Sequence, residues 1–287
     1  MDKQAERLNE LKEEFEAQLM TPLASIIPSR LKEAMSYSLL APGKRIRPLL
    51  LFAALEAYGV DPHLGFPMGN AIEMIHTYSL IHDDMPEMDD DDLRRGRPTC
   101  HKQFGVDAAL LAGDALQSLA FETLCQTQDV SKIPALVHLT AQMAGANGMC
   151  YGQDLDLQAT KQASLSDLIA IERCKTGCLI ALPLASAAIL AGHEEDVPTW
   201  IALGHLIGIQ FQIQDDLLEV LSDVEAMGKS LSDTRNEKAT MLSLFTVEEG
   251  QEQVLQYDQR IQSLLDQLEL EDDLLRTLIH QLKTRTH

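Results

Sequence analysis

This 287-residue chain contains the stretch Ile81-His82-Asp83-Asp84-Met85-Pro86-Glu87-Met88-Asp89-Asp90-Asp91-Asp92-Leu93-Arg94-Arg95-Gly96, around which its fold is organised. It places seven acidic residues and then two arginines directly after an apolar helical segment. A second block of the same form follows much later, Ile213-Gln214-Asp215-Asp216-Leu217-Leu218-Glu219. Both blocks put paired aspartates at the end of an apolar segment. Oxygen-only clusters of this kind indicate that the chain holds hard cations between them.

Composition predicts an all-α protein. Hydrophobic residues make up 45% and charged residues 23% of the chain, which is normal for a globular protein. Leu, Ala, Met and Gln are plentiful helix formers, aromatics are only 5%, and no run alternates with a period of two. We therefore expect about ten or more helices in a single domain over residues 1–287.

Charge restricts the class of partner. The net charge of −21 argues against nucleic acid or an anionic membrane surface. Against this background the chain has two short basic clusters, Lys44, Arg45 and Arg47, and Arg94, Arg95 and Arg97. These clusters predict binding of a small anion, although Arg45 and Arg97 are expected to be surface charges.

The cysteines and the longest apolar run indicate a cytoplasmic protein with no membrane span. The five cysteines form no CxxC pair, and no signal peptide is recognisable, so they are expected to be buried free thiols. Cys174 and Cys178 lack a His or Cys partner for a zinc site. The apolar run Cys178–Gly192 contains Pro183 and is too short to cross a bilayer, so a buried core helix is predicted.

Apolar periodicity and breaker residues predict the helix boundaries. An amphipathic N-terminal helix ends before Pro22, Pro28 opens a second helix, Pro86 stops the helix that carries the first aspartates, and Ser164 caps a later one. The expected helices cover approximately 2–19, 28–39, 46–58, 67–84, 107–126, 133–158, 164–191 and 196–222, and two or three amphipathic helices end the chain. Polar residues 223–240 are expected to form a loop or flap.

Helix geometry places the carboxylates of each block together. Asp215 and Glu219 are four residues apart, so they lie about 40° from each other on a helix, with Asp216 beside them. After Pro86 the chain must leave the helix, so Asp89 and later carboxylates fold back over the helix end. Carboxylates alone suit Mg²⁺ or Mn²⁺, whereas a calcium EF-loop would require a ligand where Leu93 stands. A single acidic run could be only a solvated loop, but two matched runs argue against that.

The basic residues complement the predicted metal site. Arg94 and Arg95 could bind phosphate oxygens in a bidentate manner, and Lys44 with Arg47 could bind a second diphosphate. His76 lies one to two helical turns before the aspartates and could donate to a phosphate. A lone helical histidine is more often a core residue, but these neighbours favour a functional role.

At this point the motifs resemble those of the short-chain trans-isoprenyl diphosphate synthases, and within them the bacterial farnesyl diphosphate synthases. The resemblance runs in family order from about residue 40 to 240. The matching stretches are Gly43-Lys44-Arg45-Ile46-Arg47-Pro48, Ile75-His76-Thr77-Tyr78-Ser79-Leu80 through Arg95-Gly96, Leu111-Ala112-Gly113-Asp114-Ala115-Leu116, Gly148-Met149 with Gly152-Gln153, Lys175-Thr176-Gly177, Phe211-Gln212-Ile213-Gln214-Asp215-Asp216, and Gly228-Lys229.

The resemblance implies an isoprenoid synthase fold with a deep central cavity, a homodimer, and head-to-tail condensation of isopentenyl diphosphate with dimethylallyl or geranyl diphosphate. By position, about three Mg²⁺ ions on the allylic diphosphate would be held by Asp83, Asp84, Asp89 and Asp215, assisted by Arg94, Lys175 and Lys229. Isopentenyl diphosphate would be bound by Lys44, Arg47, His76 and Arg95. Thr176 and Gln212 would flank the reacting carbons.

Product length is expected to depend on Tyr78 and Ser79, which lie about one turn below the first aspartates. The family associates an aromatic residue there with a C15 product, farnesyl diphosphate. Some positions depart from the family: Glu219 replaces the usual Asp, and the region of Lys238 matches only loosely. Glu87 and Tyr151 replace smaller residues, and the tail beyond about 245 shows little match.

Alternative functions differ in the features they require. Geranylgeranyl or geranyl diphosphate synthesis would use the same site with a cavity of another depth. A non-catalytic helical partner of a synthase would be expected to lack the first aspartates or Arg94, and both are intact. A terpene cyclase lacks a second diphosphate site, so the stretch from Gly43 to Pro48 with His76 argues against it.

Overall fold

Helices provide almost all the regular structure of this computed structural model, which describes residues 3–160, 162–226 and 244–284. The helices are α1 (Lys3–Gln18), α2 (Thr21–Ala24), α3 (Arg30–Leu39), α4 (Ile46–Ala57), α5 (Phe66–Asp83), α6 (Cys100–Phe104), α7 (Val106–Leu124), α8 (Ile133–Ala144), α9 (Met149–Gln158), α10 (Leu165–Glu172), α11 (Cys178–Ala191), α12 (Val197–Ala226), α13 (Val247–Leu268) and α14 (Asp273–Thr284). Two strands, β1 (Leu93–Arg94) and β2 (Arg97–Pro98), are the only ones in these ranges. The predicted all-α class is confirmed.

The core is built around α4 and α11, whose residues are buried on nearly every side. Helix α4 buries its run from Pro48 to Leu55, and α11 is buried from Cys178 to Ile189 despite Pro183. A helix that is apolar all round belongs in a protein interior or a membrane. The run Leu165–Ala191 is the one described helical stretch long and apolar enough to cross a membrane, but 78% of its most apolar window is buried inside the protein. The prediction of a core helix is confirmed.

The N-terminal helix is amphipathic, as predicted, and its buried face carries Leu8, Leu11 and Phe15. The second helix begins slightly later than its proline indicated. The Ser29 side chain accepts a hydrogen bond from the Lys32 backbone N–H at 3.2 Å and so caps α3. Pro22 opens the short helix α2 rather than only ending α1.

The acidic stretch leaves α5 at Asp83 and turns back as a β-hairpin. Strands β1 and β2 pair antiparallel, with Arg94 opposite Arg97. Arg95 and Gly96 at the turn have φ of 53° and 74°, the left-handed pair that a tight two-residue hairpin turn requires. The sequence predicted the unwinding of the helix but not these strands, because two-residue strands give no detectable alternation.

Two long predicted helices are each divided. The helix predicted over 133–158 is broken between α8 and α9. A Cβ on Gly148 would lie 2.1 Å from the Met143 carbonyl oxygen, so this break depends on glycine. The helix predicted over 164–191 begins at Ser164 with the expected capping box, but a π-helical segment, Arg173–Gly177, separates α10 from α11. Such π-helical insertions occur often at functional sites.

Candidate active site

Arg47 on α4 and His76 on α5 form a hydrogen-bonded pair. The Arg47 Nη1 and His76 Nε2 atoms are 3.2 Å apart, and the buried Arg47 Nε has no hydrogen-bond partner among the described residues. Desolvation, assisted by the nearby Arg95 charge and opposed by that of Glu73, lowers the pKa of Arg47 to about 10. Desolvation, followed by the charges of the neighbouring arginines, also lowers the pKa of His76 well below its ordinary value. The pair is therefore electrostatically unsatisfied and suited to an anion.

The hairpin aims two further arginines at the same region. Arg94 donates from Nε to Asp84 Oδ1 at 2.7 Å, and Arg95 donates from Nη1 to the Pro42 carbonyl oxygen at 2.8 Å. Desolvation lowers the pKa of Arg95, and the Arg45 and Arg94 charges contribute. Arg94 and Asp84, predicted to bind phosphate and metal respectively, are thus paired with each other in this structure.

Asp83 lies at the end of α5, facing α9 and the π-helical segment. Its carboxylate accepts a hydrogen bond from the Gln153 side-chain amide. Desolvation raises the pKa of Asp83, and the negative charge of Asp89 raises it further. Desolvation also raises the pKa of Asp84. Carboxylates that are crowded and desolvated in this way favour a bound cation.

These oxygen donors fit a divalent cation only in part. In the described part of the chain no three His, Cys, Asp or Glu side chains converge into a ready-made metal site. Mg²⁺ is commonly held by one or two carboxylates together with substrate phosphates and water. The donor set around Asp83 therefore fits such an ion when substrate oxygens complete its coordination.

A cavity of about 440 Å³ extends from Arg47 and His76 to Asp83. The residues around it come from α4, α5, α9, the π-helical segment and the start of α11. Its wall includes the predicted site residues Arg47, His76, Tyr78, Ser79, Asp83, Lys175 and Thr176. The structure thus brings seven predicted residues from distant parts of the chain around one space.

Acidic residues hold three of the predicted site residues in place. Lys175 Nζ donates to Asp156 Oδ2 at 2.7 Å, and Thr176 Oγ1 donates to Glu172 Oε2 at 2.9 Å. Gln212 Nε2 similarly donates to Asp216 Oδ1 at 3.0 Å, within α12. Asp156 and Glu172 were not identified from the sequence. The one available signal was the spacing of Glu172, four residues before Thr176.

Lys44 and Asp215 are not among the residues that line this cavity. They line a second cavity, of about 580 Å³, between α1, α4, α12 and α14. The side chain of Glu219, together with Lys229 and Lys238, lies outside the described residues. The predicted flap at 223–240 does too, apart from 223–226, which continue α12.

Arg45 is not the surface charge that was expected. Its side chain is 4% exposed and forms ion pairs with Glu73 at 2.7 Å and Glu16 at 2.9 Å. The basic cluster therefore contains one structural arginine, because a buried guanidinium requires carboxylate partners. Arg97 lies over the Tyr37 ring, 4.2 Å from its centroid.

Comparison with known proteins identifies the family. The polyprenyl synthetase family model matches residues 28–280. The chain is 43% identical to the farnesyl diphosphate synthase of Bacillus subtilis, over 91% of this chain and 90% of that protein. It is 42% identical to a geranylgeranyl diphosphate synthase of Cyanophora paradoxa, over 85% and 83% respectively.

A solved structure agrees with these matches. The crystal structure of an FPP/GFPP synthase from Zymomonas mobilis superposes with a TM-score of 0.85 at 34% identity, covering 98% of this chain and 99% of that one. The comparisons confirm the fold and the enzyme class predicted from the sequence. The chain belongs to the polyprenyl synthetase family.

Proposed function

We propose that this chain joins isopentenyl diphosphate head-to-tail to dimethylallyl and then geranyl diphosphate, and releases (2E,6E)-farnesyl diphosphate. One observation carries the proposal: the cavity of about 440 Å³ has Arg47 and His76 on one side and Asp83 on another. The first side carries a guanidinium and a ring nitrogen, and the second carries a carboxylate beside Lys175. A diphosphate bound directly and a diphosphate bound through metal would satisfy both.

The side of the cavity with Arg47 and His76 suits isopentenyl diphosphate. The partnerless Arg47 Nε and the depressed pKa values of Arg47 and His76 both favour a bound anion. A neutral His76 can donate one ring N–H to a phosphate oxygen while the guanidinium supplies charge. Arg95 and Lys44 complete this proposed subsite.

The acidic side suits the allylic diphosphate with Mg²⁺. Asp83, Asp84, Asp89 and Asp215 are the proposed metal ligands, for about three Mg²⁺ ions, with Mn²⁺ as an alternative. The bound ions would neutralise the diphosphate leaving group. Arg94, Lys175 and Lys229 are proposed to bind the same diphosphate directly.

The residues of the chain then control an allylic cation. As the C–O bond breaks, Thr176 and Gln212 present oxygen atoms beside the reacting carbons, and the apolar cavity wall keeps water away. The alkene of isopentenyl diphosphate attacks the allylic carbon and forms the new C–C bond. The released diphosphate, held by the basic residues, takes the proton lost from the adjacent carbon.

Tyr78 and Ser79 are proposed to limit the product to C15. Tyr78 is 4% exposed, lines the cavity, and its hydroxyl lies 3.8 Å from Cys150 Sγ on α9. Its ring also lies edge-to-face with the His82 ring, with centroids 5.8 Å apart, and these contacts support it as a cavity floor. A C20 product, geranylgeranyl diphosphate, is the alternative, because a geranylgeranyl diphosphate synthase is 42% identical to this chain.

We also propose that residues 1–287 form a single domain, that the protein acts as a homodimer, and that it is cytoplasmic. The family match over residues 28–280 supports the first point. Sedimentation of the purified protein would test the second.

Product analysis tests the proposal. The protein is incubated with isopentenyl diphosphate, Mg²⁺ and either dimethylallyl or geranyl diphosphate, and the dephosphorylated products are sized by chromatography. We expect a C15 alcohol from both allylic substrates. A dominant C20 alcohol would overturn the assignment of chain length, and a folded protein that makes no product would overturn the enzyme assignment.

A further inference from the structure

Glu172 is a half-buried acid that the proposed reaction does not use. It is the last residue of α10, directly before the π-helical segment that carries Lys175 and Thr176. Its carboxylate lies against Thr176 rather than reaching the cavity wall itself. It is therefore placed to act on the reaction through that hydroxyl.

The π-helical segment leaves little freedom for Thr176 to move. A Cβ on Gly152 would lie 2.1 Å from the Lys175 backbone nitrogen, and one on Gly208 would lie 2.4 Å from the Gly177 Cα. The backbone around Thr176 is thus packed closely between α9 and α12. The direction of its hydroxyl is the main remaining variable, and Glu172 determines it.

We propose that Glu172 is a positioning residue for Thr176. Its carboxylate accepts a hydrogen bond from the Thr176 hydroxyl, so that the hydroxyl lone pairs face the carbon at which positive charge develops. This inference rests on the proposed function and concerns the same site. If Glu172 carries a proton, it can donate to the Thr176 oxygen instead. The hydroxyl would then present its hydrogen to the cation, which is the wrong polarity.

The surroundings of Glu172 raise the pKa of its carboxyl. The charged groups that act on it are Asp156 on α9, Lys175 on the π-helical segment and Asp216 on α12. Arg173, on the same segment, acts on His205 and Cys178. Desolvation raises the pKa of Glu172 to about 7, and Asp156 and Asp216 add to the rise against the opposing effects of Thr176 and Lys175.

The test compares pH profiles of kcat at saturating substrates and Mg²⁺. We expect kcat of the wild-type protein to fall as pH decreases through about 7, because Glu172 becomes protonated. Glu172→Gln keeps the shape but not the charge. It should lower kcat about tenfold at pH 8, as expected for loss of a charge-assisted hydrogen bond, change each KM by less than about twofold, and remove this decline.

Two further variants separate positioning from a general effect on structure. Thr176→Val removes the hydroxyl, so it should also remove the decline near pH 7, and adding Glu172→Gln to it should cause no further loss. Glu249→Gln alters a helix cap of α13, far along the chain, and should retain the wild-type profile. Thr176→Val remains informative even if the glutamine variant fails to fold.

The outcomes are distinct. A Glu172→Gln protein with wild-type kcat at pH 8 and an unchanged decline would overturn the positioning role alone, since the wild type still makes product. Additive losses in the double variant would overturn it as well. Absence of product from the wild type at every pH would overturn the proposed function and this inference with it.

Discussion

At the scale of single residues, two arginines of the same basic cluster differ in their partners. Arg45 pairs with Glu16 and Glu73, whereas the buried Nε of Arg47, two residues away, has no hydrogen-bond partner in the part of the chain that the structure describes. The two arginines look equivalent in the sequence. Only the fold shows that one stabilises the structure and the other is available to a ligand.

Replacing Arg47 should affect one substrate more than the other. We expect Arg47→Gln to raise KM for isopentenyl diphosphate about 10- to 100-fold, the usual effect of losing a hydrogen bond to a charged group. KM for geranyl diphosphate should change far less. Steady-state kinetics with each substrate varied in turn measure both constants. Arg7→Gln, which alters a partly exposed ion pair with Glu56, is the matched control and should change neither.

Glu172 should also affect stability, in the direction opposite to its effect on activity. Its pKa is about 7 in the folded protein against an ordinary 4.5, so the unfolded chain releases this proton at lower pH. The free energy of unfolding therefore decreases as pH rises from about 4.5 to about 7, because Glu172 ionises less readily in the folded protein. Above about pH 7 the decrease is complete.

At pH 8 the free energy of unfolding of Glu172→Gln should accordingly exceed that of the wild type by about 1–2 kcal/mol, and the variant should unfold at a higher temperature. At pH 4.5 the two proteins should unfold at nearly the same temperature. Thermal unfolding of the metal-free protein at the two pH values measures this. A variant that is less stable at pH 8 would contradict the raised pKa.

At the scale of elements, sequence reasoning found helices well and their interruptions poorly. Helix α5 was predicted almost to its ends because apolar periodicity and Pro86 both mark it. The β1–β2 hairpin and the π-helical segment were missed. Both depend on a few backbone angles and on packing against neighbours, which leave no periodic signal over so few residues.

Close packing of α9 on the π-helical segment gives a prediction about an element. Alanine normally favours a helix over glycine by about 1 kcal/mol. A Cβ on Gly152, however, would lie 2.1 Å from the Lys175 backbone nitrogen, so Gly152→Ala must displace the segment. We expect kcat to fall by at least about tenfold, because small displacements of positioned groups are costly to catalysis.

Gly59→Ala is the matched control for that variant. Gly59 has φ of 69° with open space around its Cβ position, so alanine there should lower stability without affecting turnover. Activity assays with thermal unfolding of both variants distinguish the two effects. Wild-type kcat in Gly152→Ala would show that the segment tolerates displacement.

At the scale of the whole molecule, the fold brings residues from four helices and the π-helical segment around one cavity. The sequence predicted seven of the residues that line it, because each of those seven belongs to a short motif. It did not predict the separation of Lys44 and Asp215 into a second cavity, or the pairing of Arg94 with Asp84. Such arrangements depend on how α1, α4, α12 and the hairpin pack together, which no local pattern encodes.

Cavity depth should determine product length. Tyr78→Ala removes a ring that is 4% exposed in the cavity wall, so we expect products longer than C15. Tyr151→Ala is the matched control, because Tyr151 is 46% exposed on α9 and should leave the product at C15. Chromatographic sizing of the dephosphorylated products measures the chain length that each variant makes. An unchanged C15 product from Tyr78→Ala would mean that another residue limits the chain.

Calorimetric binding of each substrate with and without Mg²⁺ tests the proposed pair of diphosphate sites most directly. In this arrangement one diphosphate binds directly to Arg47 and His76, and the other binds through metal at Asp83. We expect isopentenyl diphosphate to bind with affinity changed less than about threefold by chelation of the metal, and an unreactive allylic thiodiphosphate to bind at least about tenfold more tightly with Mg²⁺. Equal metal dependence of the two ligands, or independence of both, would contradict the claim.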